Sequence, residues 1–341
     1  MQHTTSKQDR IAMTMAMATA MAASAIACAL AFGWAGKAHA QAGAYPDHPV
    51  RIVLPTSAGS GVDITARAIA QKLSEAWGQQ VVVDNRSGGN GVIAAQLAAQ
   101  SNADGHTLLM VAIGHAINPS LQKSLPYNSE RDFVPISLTA VLPLMVGVHI
   151  SVKANNMQEL IALARNPARP VTYASGGIGS SQHLAAELIN YMAKVKMTHI
   201  PYKGGNPGLL DVVGGHVDMM ASTILTVAPH AKAGRLRALA ITTSKRSAAW
   251  PDLPTVSESG LKGYESLAWY GIVAPAGLPP AVLAKLGDVM AKGTHAADMR
   301  ETLINQGAEP VGSTPKEFAA FIKSETTKYA RVIREAGVKA E

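Results

Sequence analysis

The chain has 341 residues, with 30 Lys and Arg against 23 Asp and Glu, a formal net charge of +7 and a single cysteine, Cys28. The basic residues are scattered, with no run of five or more, so the clustered basic stripe of a nucleic-acid binder is missing and no nucleic-acid partner is expected. One cysteine excludes an internal disulfide, and its place in an amino-terminal apolar run leaves the rest of the chain without a thiolate nucleophile or a cysteine–zinc site.

Residues 1–40 read as an export signal. Lys7 and Arg10 give a positive start, Ile11 to Phe32 runs apolar without a charge, and Ala38-His39-Ala40 supplies the small residues a signal peptidase reads. Cleavage is expected between Ala40 and Gln41. The apolar run is long enough to span a bilayer, so an uncleaved anchor is the competing reading, against which the small-residue site argues. Ala25 is a poor residue three before Cys28 for a lipoprotein signal. Loss of Lys7, Asp9, Arg10 and Lys37 lowers the net charge to +5. The roughly 300 residues left bury about three quarters of their unfolded surface, enough for a core without disulfides, and suggest two lobes.

From there strands alternate with amphipathic helices, the α/β signature. Val50–Leu54 reads as a strand stopped by Pro55. The loop Thr56–Gly61 leads into a helix with Ala66, Ile69, Ala70, Leu73 and Trp77 at helical spacing, ended by Gly78. Val81–Val83 is a strand, Ser87–Gly91 a glycine loop, and a helix follows through Ala99. Asp104-Gly105 turns into a strand over Thr107–Ile113. These units are expected to close as a parallel sheet with helices on both faces. A proline-rich stretch, Pro126 to Pro143, breaks the rhythm. Alternation resumes with a helix at Gln158–Arg165, a strand at Val171–Ala174, a glycine loop at Ser175–Ser180 and a helix at Gln182–Met192. A strand at Thr198–Tyr202, a helix at Asn206–Val213, and strands at Val217–Met220 and Leu236–Thr242 follow. Ser247 to Tyr264 is loop-rich; Trp269–Ala274 is a strand, and Pro279–Gly293 and Lys316–Ala336 are terminal helices. The last strand and helices need a sheet to join, which places lobe one at 45–142 plus 270–341, lobe two at 145–265, and a two-crossing hinge near 140–147 and 265–271.

Each lobe carries one strand–glycine loop–helix corner. The first runs Leu54-Pro55-Thr56-Ser57-Ala58-Gly59-Ser60-Gly61-Val62-Asp63 and the second Tyr173-Ala174-Ser175-Gly176-Gly177-Ile178-Gly179-Ser180-Ser181-Gln182-His183. Glycine permits tight turning and close approach of a ligand, and a helix start offers unpaired N–H groups and the positive end of its dipole. Such an end binds carboxylate or phosphate without a charged side chain. Ser57, Ser60, Ser180 and Ser181 add hydroxyls. Ordinary turns with Ser or Asp caps are the bland reading of either loop alone; Asp63 is a cap, or else a receiver for an amino group. His115 and His183 could donate to a carboxylate, with packing as the alternative. The glycines do not complete a dinucleotide or P-loop motif. There is no G-x-S-x-G, no S-x-x-K with its partner motifs and no H-E-x-x-H, so no catalytic residue, metal or cofactor is expected.

Stretches along the chain carry a resemblance. They include Tyr45-Pro46-x-x-Pro49-Val50-Arg51, Val82-Val83-Asp84-Asn85-Arg86, Asp104-Gly105-His106-Thr107-Leu108-Leu109, Ile200-Pro201-Tyr202-Lys203-Gly204, Gly214-Gly215-His216-Val217-Asp218 and Trp269-Tyr270-Gly271. In order and spacing they resemble the Bug-type periplasmic receptors of the tripartite tricarboxylate transporter family. The resemblance implies an α/β, two-lobed Venus-flytrap fold of type II character, a periplasmic location, a small mono- or dicarboxylate gripped between the lobes, often through water, and membrane transporter subunits as partner. Carried over, the ligand-binding residues are Thr56, Ser57, Gly59, Ser60 and Gly61 from the first loop and Ser175, Gly177, Ser180, Ser181 and His183 from the second. Gly114 and His115 are assigned to another cleft-edge loop, and Ser222 and Thr223 to a further one. The first loop departs from the family's proline, paired glycines and Thr-Asp, and Ala221-Ser222 stands where an acid is common, which makes a ligand with an amino group less favoured. Two other readings stay open: a sensory receptor serving a membrane kinase, and a hydrolase using Ser60 or Ser180.

Overall fold

The computed structural model describes residues 45–247 and 250–339. The expected signal and its cleavage point lie outside the described residues. The strands are β1 (Val50–Leu54), β2 (Val81–Asn85), β3 (Thr107–Val111), β4 (Phe133–His149), β5 (Thr172–Ser175), β6 (Thr198–Pro201), β7 (Met219–Thr223), β8 (Leu236–Ile241), β9 (Leu267–Pro275) and β10 (Glu309–Pro310). The helices are α1 (Gly61–Trp77), α2 (Val92–Ala99), α3 (Ile113–Leu121), α4 (Met157–Ala164), α5 (Ser181–Ala193), α6 (Gly205–Val213), α7 (Ile224–Lys232), α8 (Pro280–His295), α9 (Ala297–Asn305) and α10 (Pro315–Ala336).

The strands form two sheets that share β4. In the first, the order is β2-β1-β3-β9-β4, with β10 on the outer edge of β4. β1, β2 and β3 are parallel, but β9 runs antiparallel to both β3 and β4. The expected parallel sheet is therefore a mixed one. In the second, the order is β8-β4-β7-β5-β6, again with the parallel strands β5, β6 and β7 grouped. β4 pairs with β9 as far as Pro143 and with β7 and β8 from Leu144 on.

This seventeen-residue strand occupies ground where prolines had signalled irregular chain. A proline lacks the N–H that a ladder needs and is tolerated at bulges and edges. Pro135 sits at a register shift, a second shift falls between Leu138 and Ala140, and Pro143 stands where β4 leaves one sheet for the other. Three helices also escaped the periodicity, α3, α7 and α9. α3 and α7 contain Pro119 and Pro229 and start without a side-chain cap, so both local signals argued against them.

Elsewhere local chemistry matches the outcome. Ser60 caps α1, and Gly78 ends it at φ +67, a left-handed conformation that glycine adopts without strain. One apolar cluster in the second sheet joins Met145, Leu209, Val212, Met220, Val227 and Ile241. α10 packs on α3, β4 and α5, and so touches helices of both sheets. It buries Phe318, Tyr329, Val332 and Ile333. Tyr329 Oη pairs with Ser266 Oγ at 2.9 Å, and Lys328 donates to the Glu265 carbonyl at 3.1 Å, just before β9.

Gly271 in β9 lies directly beneath this helix: a Cβ there would stand 2.2 Å from Phe318 Cζ. Overpacking of this kind costs about 1–3 kcal/mol. G271A is expected to lower unfolding free energy by that amount in urea titrations while leaving far-ultraviolet dichroism intact. An unchanged midpoint would mean that Phe318 can swing away.

Candidate functional site

β1 delivers the chain to the carboxyl edge of its sheet, where Pro55 to Ser60 turns into α1. Ser60 Oγ accepts the Asp63 N–H at 3.2 Å and pairs with Thr56 Oγ1 at 2.8 Å. Gly59 takes φ +78, and its N–H donates to Asp63 Oδ2 at 2.9 Å. Arg67 Nε and Asn85 Nδ2 donate to the same carboxylate, each at 3.0 Å. Burial pushes the Asp63 carboxyl upward, but the Arg67, Gly59 and Asn85 donors together hold it below its ordinary value. The Asp63 oxygens are thus engaged in fastening the loop.

A Cβ on Gly61 would lie 3.1 Å from Tyr270 Oη and 3.5 Å from Gln306 Oε1. Tyr270 was quoted above only as part of a motif, yet its phenol faces the start of α1. Burial pushes it up to about 12. Side-chain chemistry alone could not place it here, because β9 comes from far along the chain.

The second corner is knit together by histidines. Ser180 Oγ caps α5 by accepting the His183 N–H at 3.2 Å, and the Gly179 N–H donates to His183 Nδ1 at 3.1 Å. Ser175 Oγ lies 2.6 Å from His199 Nε2 and accepts the Gly177 N–H at 3.1 Å. His199 stacks on His183 at 4.1 Å and on Tyr173 at 4.9 Å between ring centroids. Tyr173 in turn donates to the buried Glu187. Gln182, which sequence reasoning passed over, joins three elements: its Oε1 accepts the Gly176 N–H at 2.6 Å, its Nε2 donates to Ser222 Oγ at 2.9 Å, and it packs against Gly205. Ser222 and Thr223 form the end of β7 rather than a loop, and Thr223 Oγ1 pairs with Thr226 Oγ1 at 2.7 Å.

A cavity of about 110 Å³ opens beside the first corner. Its lining includes Thr56, Asn90, Gly91, Gly114, His115 and Tyr127, and no carboxylate, lysine or arginine. Gly114 and His115 are not in a loop, as expected, but in the first turn of α3, because that helix begins immediately after β3. Two helices start on this cavity, α2 after Gly91 and α3 after Ala112, and neither has a side-chain cap. Backbone carbonyls serve instead: Gly89 accepts the Val92 N–H and Ala112 accepts the His115 N–H at 3.0 Å, so the Ile113 and Gly114 amides at the start of α3 are the ones aimed at a ligand. His115 Nδ1 is buried without a hydrogen-bond partner among the described residues. Of the residues singled out from sequence, Thr56, Gly114 and His115 line the cavity. Ser57, Gly59, Ser60 and Gly61 build the adjoining turn, while Ser175, Gly177, Ser180, Ser181 and His183 build the second corner.

Asn90 joins the two. It takes the left-handed φ of +53, and its Nδ2 donates to Asn118 Oδ1 at 3.2 Å, while Asn118 Nδ2 donates to the Asn90 carbonyl at 3.1 Å. From the second corner, a Cβ on Gly179 would stand 2.9 Å from Asn90 Nδ2 and 3.0 Å from Ile117 Cδ1. On the opposite flank, a Cβ on Gly307 would stand 2.9 Å from Leu225 Cγ. Both corners therefore border the same turn.

Three imidazoles are held neutral. Burial brings His115 down to about 4 against a hydrogen bond from its ring to the Ser129 backbone, burial and the neighbouring His199 bring His183 down to about 3, and burial brings His199 down to about 4. The unfolded chain takes up these protons near the ordinary histidine value of about 6.5, so it binds more protons than the folded chain below that point. Stability is fully present above pH ~6.5 and is lost as pH falls toward the folded values. Urea unfolding from pH 7 to 4.5 is expected to weaken with a slope approaching three protons, and H199N is expected to remove about one. A slope that H199N leaves unchanged would exclude His199 from this linkage.

Residues 65–338 match the family model described as tripartite tricarboxylate transporter family receptor. The chain is similar to the protein BugT of Bordetella pertussis, at 34% identity over 89% of this chain and 93% of BugT. Among solved structures, it is similar to Rpa4515 of R. palustris with adipate, at 34% identity and a TM-score of 0.75, over 86% of this chain and 98% of that one. It is also similar to MatC of Rhodopseudomonas palustris with bound malate, at 29% identity and a TM-score of 0.72, over 84% and 99% of the two chains.

Proposed function

Because the chain belongs to the tripartite tricarboxylate transporter receptor family, we propose that it is an exported, periplasmic receptor that binds a small mono- or dicarboxylate and presents it to the membrane subunits of such a transporter. The observation that carries this reading is the acid-free cavity on which two helices begin without side-chain caps. A helix end contributes up to ~2 kcal/mol to a partly buried anion, and each hydrogen bond to a charged group ~1.5–3 kcal/mol. Two such ends with three or four donors reach the ~8 kcal/mol of a micromolar complex after ordering costs. Thr56 Oγ1, the Ile113 and Gly114 amides at the start of α3, and the His115 ring are the nearest donors; Tyr270 and the second corner complete the grip as the proposed lobes, 45–142 with 270–341 and 145–265, close. The adipate and malate held by two similar structures are ligands of this chemistry.

Catalysis is a weaker reading. Ser60 and Ser180 act as helix caps and neither is bonded to an imidazole side chain. The serine that does meet an imidazole, Ser175, is fully buried and also engages Gly177. Among the described residues no carboxylate orients His199, so the base lacks the third group a nucleophilic serine needs.

Calorimetric titration with adipate and malate tests the proposal, with dimethyl adipate as control. Micromolar binding of at least one acid is expected, no binding of the ester, and about tenfold or greater weakening in H115A, the equivalent of one lost charge-assisted contact. If a cooperatively folded sample bound no mono- or dicarboxylate, or took the ester as readily, the receptor assignment would fall.

A further inference from the structure

At the opposite end of β1 and β3 from the cavity, the chain gathers two imidazoles and two carboxylates. Asp47 and His48 precede β1, and Asp104 and His106 precede β3. The rings of His48 and His106 stack with centroids 3.5 Å apart and planes 10° from parallel. Asp47 Oδ1 lies 2.7 Å from His48 Nδ1 and 3.2 Å from His106 Nε2, so one oxygen faces nitrogens of both rings. On the far side of His106, Asp104 Oδ1 lies 3.4 Å from Nδ1 and accepts the His106 backbone N–H at 2.8 Å.

We propose that Asp47, His48 and His106 form a surface site for a divalent transition ion of the zinc type, with Asp104 orienting His106. One donor atom from each of the three residues lies within 4.8 Å of the others. Tetrahedral zinc at about 2.0–2.1 Å from each ligand needs donors about 3.3 Å apart. The two Asp47 contacts are already at or inside that spacing, but an imidazole ligates in its ring plane, so His48 must rotate out of the stack; its side chain is 57% exposed and that of Asp47 68% exposed, so both can turn, while His106, 11% exposed, stays as the anchor. A carboxylate on one histidine nitrogen with the other directed at the ion is the arrangement metal-bound histidines adopt, and Asp104, 3.4 Å from Nδ1, is the carboxylate placed to close onto it. Imidazole and carboxylate donors without thiolate favour zinc, nickel or copper over magnesium or calcium. The neighbouring cation, Arg51, is drawn off toward Asp84 at 3.7 Å and Thr107 at 3.4 Å. Three protein ligands leave a fourth position for water, so the ion exchanges. Bound there, it staples the segment before β1 to the turn before β3 and stabilises the fold by mass action.

Zinc titration of untagged protein, taken from periplasmic extract and stripped with chelator, tests the site. One equivalent with micromolar affinity is expected, together with a rise of a few degrees in melting temperature that chelator reverses. H48A and D47N change exposed side chains; each is expected to weaken zinc binding at least ~10-fold and to abolish the melting shift, as loss of one of three ligands requires. Their metal-free melting and their carboxylate affinity are expected to match the parent, which separates this site from the receptor cavity. Absence of saturable zinc binding, or binding that survives both H48A and D47N, would overturn the proposal.

Discussion

A strand that belongs to two sheets has to satisfy its amides against one set of partners and then, a few residues later, against another. β4 does this in seventeen residues, and the exchange falls at Pro143 and Leu144. Proline suits the changeover because it has no donor to lose there. Everything downstream follows from that crossing. It sets β9 antiparallel between β3 and β4 and lets β7 and β8 flank the same strand in the second sheet. It also leaves the carboxyl edges of the parallel strands as the places where glycine-rich turns emerge.

The corners were legible in sequence because they are local. A serine followed three residues later by its acceptor-seeking amide, and a glycine where the chain must go left-handed, are written in adjacent letters: Ser60 with Asp63, Ser180 with His183. β1 and α1 were readable for the same reason, with edges set by Pro55 and Gly78. What stayed hidden is non-local. β4 looked like broken chain because its prolines argue against a strand unless the bulges and partners that tolerate them are known. α3 was invisible because it starts on Ala112 with no cap and carries Pro119. The cavity went unseen with it. Tyr270 and Gln182 do their work through elements distant in sequence, and spacing holds no trace of that.

The site's chemistry also differs in emphasis from the sequence reading. The helix starts with serine caps have an amide satisfied by a side chain, whereas at α2 and α3 backbone carbonyls take the Val92 and His115 amides and no side chain caps the rest. The anion recognition proposed here would use dipoles and amides rather than opposite charge, and so would carry no long-range pull on cations or on the wrong end of a zwitterion. The histidines of the second corner serve the same economy. Being neutral, they brace a glycine loop without adding a field of their own.

α10 packs on both α3 and α5, and pins the chain just ahead of β9 through Tyr329 and Lys328. Each sheet has its own apolar packing, but this last helix is common to both. Any change in the angle between the sheets must be accommodated along its surface, like a door that drags on its own sill. Residues on its underside pack against the same α3 whose first turns line the cavity, so the opening proposed for the molecule would be felt at both.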